Sequence, residues 1–180
     1  MNLWDQPNIP HKGWSYVGIV DLGEECSCDE EVEYEQCQMC GKERIRYIHI
    51  LEHPDYTGEM RVGCVCASKM IDDYLYPGEQ ERVLKNRINR RRNFLNREWR
   101  YKSDTGNYTL RYKGENITIL KSNYGGFGVV FQGKICWRYN GRKIPNLSIA
   151  KIVAFDLFDE LHDSKGQPQP HWDDGRWLYK

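Results

Sequence analysis

Four cysteines fall in two close pairs, Cys37 and Cys40 in a C-x-x-C-G turn and Cys64 and Cys66 in a G-C-x-C-A sequence. A structural zinc ion takes four such soft or borderline ligands at tetrahedral angles. A C-x-x-C turn followed by glycine suits the task, because its backbone N–H groups help to hold the charge of two thiolates. The spacing predicts one structural zinc ion on Cys37, Cys40, Cys64 and Cys66, with His49 the substitute ligand if only one of the C-x-C cysteines binds. A turn over residues 55–58 would pair His53 with Met60 and His49 with Cys64. His53 then lies near the hairpin tip, about three residue pairs of roughly 3.3 Å each from Cys64, too far to share the ion. Cys26 and Cys28 sit in an acidic run without two further ligands nearby and read as surface thiols, and Cys136 reads as a small core residue.

A second group of residues could bind rather than coordinate. Arg87, Arg90, Arg91, Arg92, Arg97 and Arg100 fall in a stretch that reads as a helix over residues 79–101. A row of guanidiniums on a helix can neutralise successive phosphates and release counterions, so DNA or RNA is the expected partner. Trp99 and Tyr101 beside it could stack on unpaired bases. Lys plus Arg and Asp plus Glu are equal at 26 each, yet residues 21–36 carry eight acids and no base, while residues 82–102 carry nine bases and one acid, Glu98. Such opposed blocks attract one another or face a charged partner. The alternative is a protein-interaction or inhibitor module without nucleic-acid binding, for which the plentiful Trp and Tyr are suited.

Catalysis is not expected. Four thiolates close a zinc site, whereas a catalytic zinc keeps a coordination position open. His53, in E-H-P-D, lacks the second histidine and the asparagine of a zinc-supported nuclease, and the chain contains no P-loop, dinucleotide fingerprint or serine elbow. Seven cysteines, an odd count, in a chain that opens without a signal-peptide pattern predict a reduced, cytoplasmic protein. No apolar run approaches the roughly 18 residues that span a bilayer, so no membrane partner is expected.

The elements that must position these residues follow from periodicity. Residues 44–51 alternate as a strand, 54–58 supply turn chemistry and 59–63 return. A helix begins near Cys66 and is interrupted at Pro77-Gly78, after which the arginine-rich helix follows. Residues 103–107 read as a linker. Strands are predicted at 108–112, 116–121, 127–132 and 134–139, with Asn140-Gly141 a type I′ turn signal that adds a short fifth. Asn146 or Ser148 caps a last helix with Ala150, Val153, Ala154, Leu157 and Leu161 on its apolar stripe. The fold class is therefore α+β, a treble-clef or zinc-ribbon hairpin with following helices and then an antiparallel β-meander with one C-terminal helix. The expected division is 1–102 for the zinc module, 107–163 for the sheet module and 164–180 for an extended tail.

Pro10-His11-Lys12-Gly13-Trp14, Asp21-Leu22, Cys37-x-x-Cys40-Gly41-Lys42, Ile45-Arg46-Tyr47-x-His49, Glu52-His53-Pro54 and Val62-Gly63-Cys64-x-Cys66-Ala67, followed by the arginine-rich helix, resemble a group of uncharacterised bacterial and phage-type proteins with a predicted zinc ribbon. The resemblance covers roughly the first hundred residues and implies a metal-bound module but no activity. It carries Arg46, His49 and His53 as features of the group. The run from Cys26 to Glu35 departs from the group's pattern.

Overall fold

The computed structural model describes residues 2–23, 33–162, 170–173 and 176–179. Cys26 and Cys28 lie outside the described residues. In chain order come strands β1 (Ser15–Asp21), β2 (Glu35–Gln36), β3 (Arg44–Ile45), β4 (Tyr47–Glu52) and β5 (Glu59–Val62), then helices α1 (Cys64–Ile71) and α2 (Tyr76–Leu95). Strands β6 (Arg100–Lys102), β7 (Asn107–Tyr112), β8 (Glu115–Lys121), β9 (Phe127–Phe131) and β10 (Lys134–Cys136) precede the short β11 (Arg138–Tyr139) and β12 (Arg142–Lys143). Helix α3 (Leu147–His162) and strands β13 (Pro170–Asp173) and β14 (Arg176–Tyr179) complete the chain, and the fold class is α+β. No helix among the described residues is long and apolar enough to cross a membrane.

The chain divides into two compact units, one of residues 1–86 and 167–180 and one of residues 87–166. The first is built on an antiparallel sheet of order β13-β14-β1-β4-β5. Its core gathers Trp14, Ile48, Leu51, Met60, Val62, Ala67 and Met70 with Cys37 and Cys66. The hairpin of β4 and β5 pairs His49 with Val62 and Leu51 with Met60. That register is shifted by two residues from the predicted one, and because side chains alternate with period two the buried face is unchanged. The expected C-terminal tail is instead a hairpin, β13 with β14, whose Tyr179 pairs with Ile19 of β1. The Asp174-Gly175 dipeptide between these strands is a hairpin signal.

Helix α1 starts at Cys64, two residues earlier than predicted, and ends where Asp72 takes a left-handed conformation, φ 58°. Asp73 then accepts hydrogen bonds from the N–H groups of Leu75 and Tyr76, at 2.9 and 3.0 Å, and so caps α2. Pro77 sits in the first turn of α2, where its missing N–H costs nothing, and it opens the helix rather than breaking one.

The second unit is a meander of order β10-β9-β8-β7-β6 with α3 against it. Helix α2 stops at Leu95, six residues short of the predicted end. Trp99 turns into the core and Arg100–Lys102 pair with β7, so residues 103–106 are a hairpin turn and not a linker. Phe94 is fully buried, edge-on to Tyr112 at 4.9 Å and to Trp99 at 5.9 Å and tilted against Phe155 at 5.5 Å. Ile117, Ile119, Val129, Phe131 and Phe158 complete this core. The side chain of Asn146 caps α3 by accepting from Ile149 N–H at 2.9 Å. Ala150, Val153 and Ala154 are buried as expected, but Leu161 is exposed and Phe155 and Phe158 take the larger share.

Candidate functional site

The Cys37 to Cys40 turn is built by backbone hydrogen bonds. Gly41 N–H donates to Cys37 carbonyl at 2.8 Å, Cys37 N–H donates to Glu43 carbonyl at 2.9 Å, and Leu3 N–H donates to Met39 carbonyl at 2.8 Å. Gly41 takes φ 63°, a conformation that L side chains rarely adopt, so the glycine after the second cysteine closes the turn. Gly63 N–H, immediately before α1, reaches Cys37 Sγ at 3.5 Å. A side chain at Gly63 would meet Glu43 Oε2 at 2.8 Å and Ile45 at 2.9 Å, so only glycine lets the helix start approach this closely.

This packing brings the thiols of Cys37, Cys40 and Cys66 within 4.8 Å of one another. Sulfurs bound to a tetrahedral zinc at about 2.3 Å lie about 3.8 Å apart, so the three donors need little movement to share an ion. Cys37 is completely buried and Cys66 nearly so. The Cys66 thiol hydrogen-bonds to Cys37, which holds the Cys37 thiol below its usual range with further help from the backbone N–H groups of Cys40 and Gly63. The same bond and burial push the Cys66 thiol up. The lowered Cys37 thiol favours the thiolate form, which is the form a metal binds. An open pocket of about 320 Å³ adjoins the cluster, lined by Trp4, Lys42, Glu43 and Lys69 beside Cys40 and Cys66.

Cys64, expected as the fourth ligand, is not in this cluster. Its sulfur groups with His49 and Glu81 instead. The reason is helical geometry. Cys64 and Cys66 both lie in α1, where residues two apart point about 200° away from each other and cannot face one ion. Burial, and then the charge of Glu81, push the Cys64 thiol up. His53 also departs from expectation. It is half-buried rather than free at the tip, its ring packs against Trp14 at 5.3 Å, and its Nδ1 accepts from Asp55 N–H at 3.0 Å.

The arginines divide as well. Arg87 is 4% exposed, donating to Asp156 at 2.7 Å and to Asp159 at 3.0 Å, and Arg90 donates to Asp159 at 2.8 Å. Tyr139 hydroxyl donates to the other oxygen of Asp156. Arg87 therefore holds α3 and does not wait for a phosphate. Its position three after Leu84 and seven before Phe94 places it on the buried face of α2, which an apolar-only reading of the stripe passes over. Arg91 is half-buried, whereas Arg92, Arg97 and Arg100 are exposed. Arg97 lies in the turn after α2 and Arg100 on β6, so no single helix carries the row. Trp99 is buried and cannot stack on a base, while Tyr101 is 55% exposed.

A concave patch in the second unit was not anticipated. Tyr124, Trp137, Arg138 and Lys143 line a pocket of about 320 Å³. Trp137 packs so closely over Gly128 that a side chain there would meet its ring at 2.5 Å. In the first unit, the Asp21-Leu22 and Ile45-Arg46 motifs prove to be one feature, a two-pronged ion pair from Arg46 to buried Asp21 at 2.6 and 2.9 Å.

No protein-family model, curated protein or solved structure matches this chain.

Proposed function

We propose that this chain is a zinc-stabilised nucleic-acid-binding protein, in which a zinc ion on Cys37, Cys40 and Cys66 holds a ribbon-like first unit and the second unit meets the phosphates. The observation that carries this reading is charge. Residues 87–166 contain 16 Lys and Arg against 7 Asp and Glu, a formal +9 in a chain whose total is zero. A domain of that excess attracts a polyanion and releases its counterions.

Arg92, Arg97 and Arg100 are the cations offered to phosphate, while Arg87 and Arg90 position the backbone that presents them. Exposed aromatic rings lie in the same unit. Tyr101 stands on the edge strand β6 and Tyr124 and Trp137 flank Arg138 and Lys143, a pairing that suits stacking of unpaired bases between phosphate contacts. The zinc is structural on this reading. Three thiols and the backbone N–H of Gly63 gather at the start of α1, and fixing that start is what such a knuckle does.

A labelled single-stranded oligonucleotide, titrated with the whole protein and with the Arg92→Ala/Arg97→Ala/Arg100→Ala variant, tests the reading. We expect at least a tenfold weaker affinity for the variant and a smaller loss for Trp137→Ala. Equal affinities for parent and triple variant would remove the proposed phosphate contacts. A protein partner is the second reading, supported by the run Tyr74-Leu75-Tyr76, whose side chains are exposed between α1 and α2. Capture of a partner from nuclease-treated lysate that is lost with Leu75→Asp would favour it.

A further inference from the structure

The first unit contains a second donor cluster that the thiol knuckle does not use. His49 comes from β4, Cys64 from the first residue of α1 and Glu81 from the second turn of α2, and their ligand atoms lie within 4.8 Å of one another. We propose that His49 Nε2, Cys64 Sγ and Glu81 form a second binding site for a divalent transition metal, separate from the site on Cys37, Cys40 and Cys66.

Distance and surroundings carry the assignment. His49 Nε2 and Glu81 Oε1 are 3.2 Å apart. A charge-assisted N–H···O bond between them would close to about 2.8 Å. The N···O edge of a zinc tetrahedron, with both bonds near 2.05 Å, is about 3.3 Å. The observed spacing is at the long end of a hydrogen bond and close to the second value, so the two ligand atoms need little movement to share an ion. Both ligands are also held from behind. His49 Nδ1 is 2.9 Å from the Tyr16 hydroxyl, and with Nδ1–H donating to that oxygen the lone pair of Nε2 is left for a metal. Glu81 Oε2 accepts from Lys85 Nζ at 2.8 Å, which turns Oε1 towards His49. Tyr16 is fixed in turn by its edge-on contact with Tyr76 at 5.0 Å. His49 is completely buried, with the Tyr16 hydroxyl at one ring nitrogen, Glu81 at the other and the Cys64 thiol beside them.

One nitrogen, one sulfur and one carboxylate oxygen form a borderline donor set that suits zinc or cobalt and not magnesium or calcium. The site joins β4, α1 and α2, so an ion there would tie the start of α2 to the sheet of the same unit. The helical arrangement that separates Cys64 from Cys66 gives each metal one of the two cysteines.

The test is metal content of the full-length protein, reconstituted with zinc under reducing conditions and freed of excess ion. Two equivalents per chain are expected for the parent. Glu81→Gln, which preserves shape, and Cys64→Ser should each lower this to one with unchanged far-ultraviolet circular dichroism, and Cys37→Ser should remove the other equivalent. Cobalt bound to the Glu81→Gln protein should keep only the spectrum of a thiolate-rich site. One equivalent in the parent protein would overturn the proposal, and loss of that single ion with Cys64→Ser would assign Cys64 to the first centre. Two equivalents retained in both Glu81→Gln and Cys64→Ser would overturn it equally.

Discussion

The two units solve the same packing problem with different materials. Among the described residues of 1–86 and 167–180 the enclosed side chains are mostly aliphatic, with Met39, Met60 and Met70 beside buried thiols. In residues 87–166 the centre is Phe94, Phe131, Phe155 and Phe158, ring against ring, with no cysteine among its fully enclosed side chains. Small cores often need a staple, and the cysteine knuckle stands in the unit whose described core has no phenylalanine. Charge divides along the same line. The second unit carries a formal +9, so the remainder of the chain carries the balancing −9. Each unit also encloses carboxylates gripped by arginine, Asp21 by Arg46 in the first and Asp156 and Asp159 by Arg87 in the second. The contrast teaches that the thiol cluster and the basic excess lie in different parts of the sequence, so the metal dependence and the polyanion binding we propose can be tested separately.

The largest effect should come from the metal. Structural zinc contributes on the order of 10 kcal/mol to folding in small domains. Chelation should abolish one calorimetric transition, that of the first unit, and leave the other near its original temperature. Loss of both together would erase the distinction between the units.

Arg87→Ala comes next and strikes the other half. It leaves Asp156 and Asp159 in a buried site without their principal cation, a change that costs about 3–5 kcal/mol. Denaturant melting should show the loss in the second transition alone. Arg87→Met, which restores volume but not charge, should remain similarly weak, because the acids and not the cavity dominate.

These two predictions rest on features of unequal legibility. The knuckle was readable because C-x-x-C-G and a hairpin are local, and so was the meander, whose Gly and Asn-Gly turns fall where its strands end. Asn146 as helix cap followed from local chemistry too. What could not be read was which face a residue presents. Cys64 and Cys66 looked like a pair until α1 was seen to begin at Cys64, since two residues of a strand or loop can share an ion and two of a helix cannot. Arg87 looked like a surface cation because its acids lie some seventy residues further on, in α3. The end of α2 was overestimated because Trp99 fits a helical stripe as well as it fits the sheet core that claims it.

Asp21→Asn should have a smaller effect. Removing the charge that Arg46 grips from two sides costs about 1.5–3 kcal/mol, since hydrogen bonds to charged groups are worth about that much. The first transition should move and the second should not. The smallest effect on stability belongs to Arg92→Ala, Arg97→Ala and Arg100→Ala, exposed positions where each change should stay within about 0.5 kcal/mol. Their combined effect on binding should be the greatest of all the variants, which separates the arginines that hold the second unit from those offered to a partner.

The dependence of oligonucleotide affinity on salt tests the central claim most directly, because it counts the phosphates that the basic unit neutralises. For the whole protein, log K should fall linearly with log salt concentration, and the triple arginine variant should show a slope shallower by about two, as loss of three contacts at roughly 0.7 per single-strand phosphate requires. A parent affinity that does not change with salt, or a variant with the parent's slope, would contradict the account.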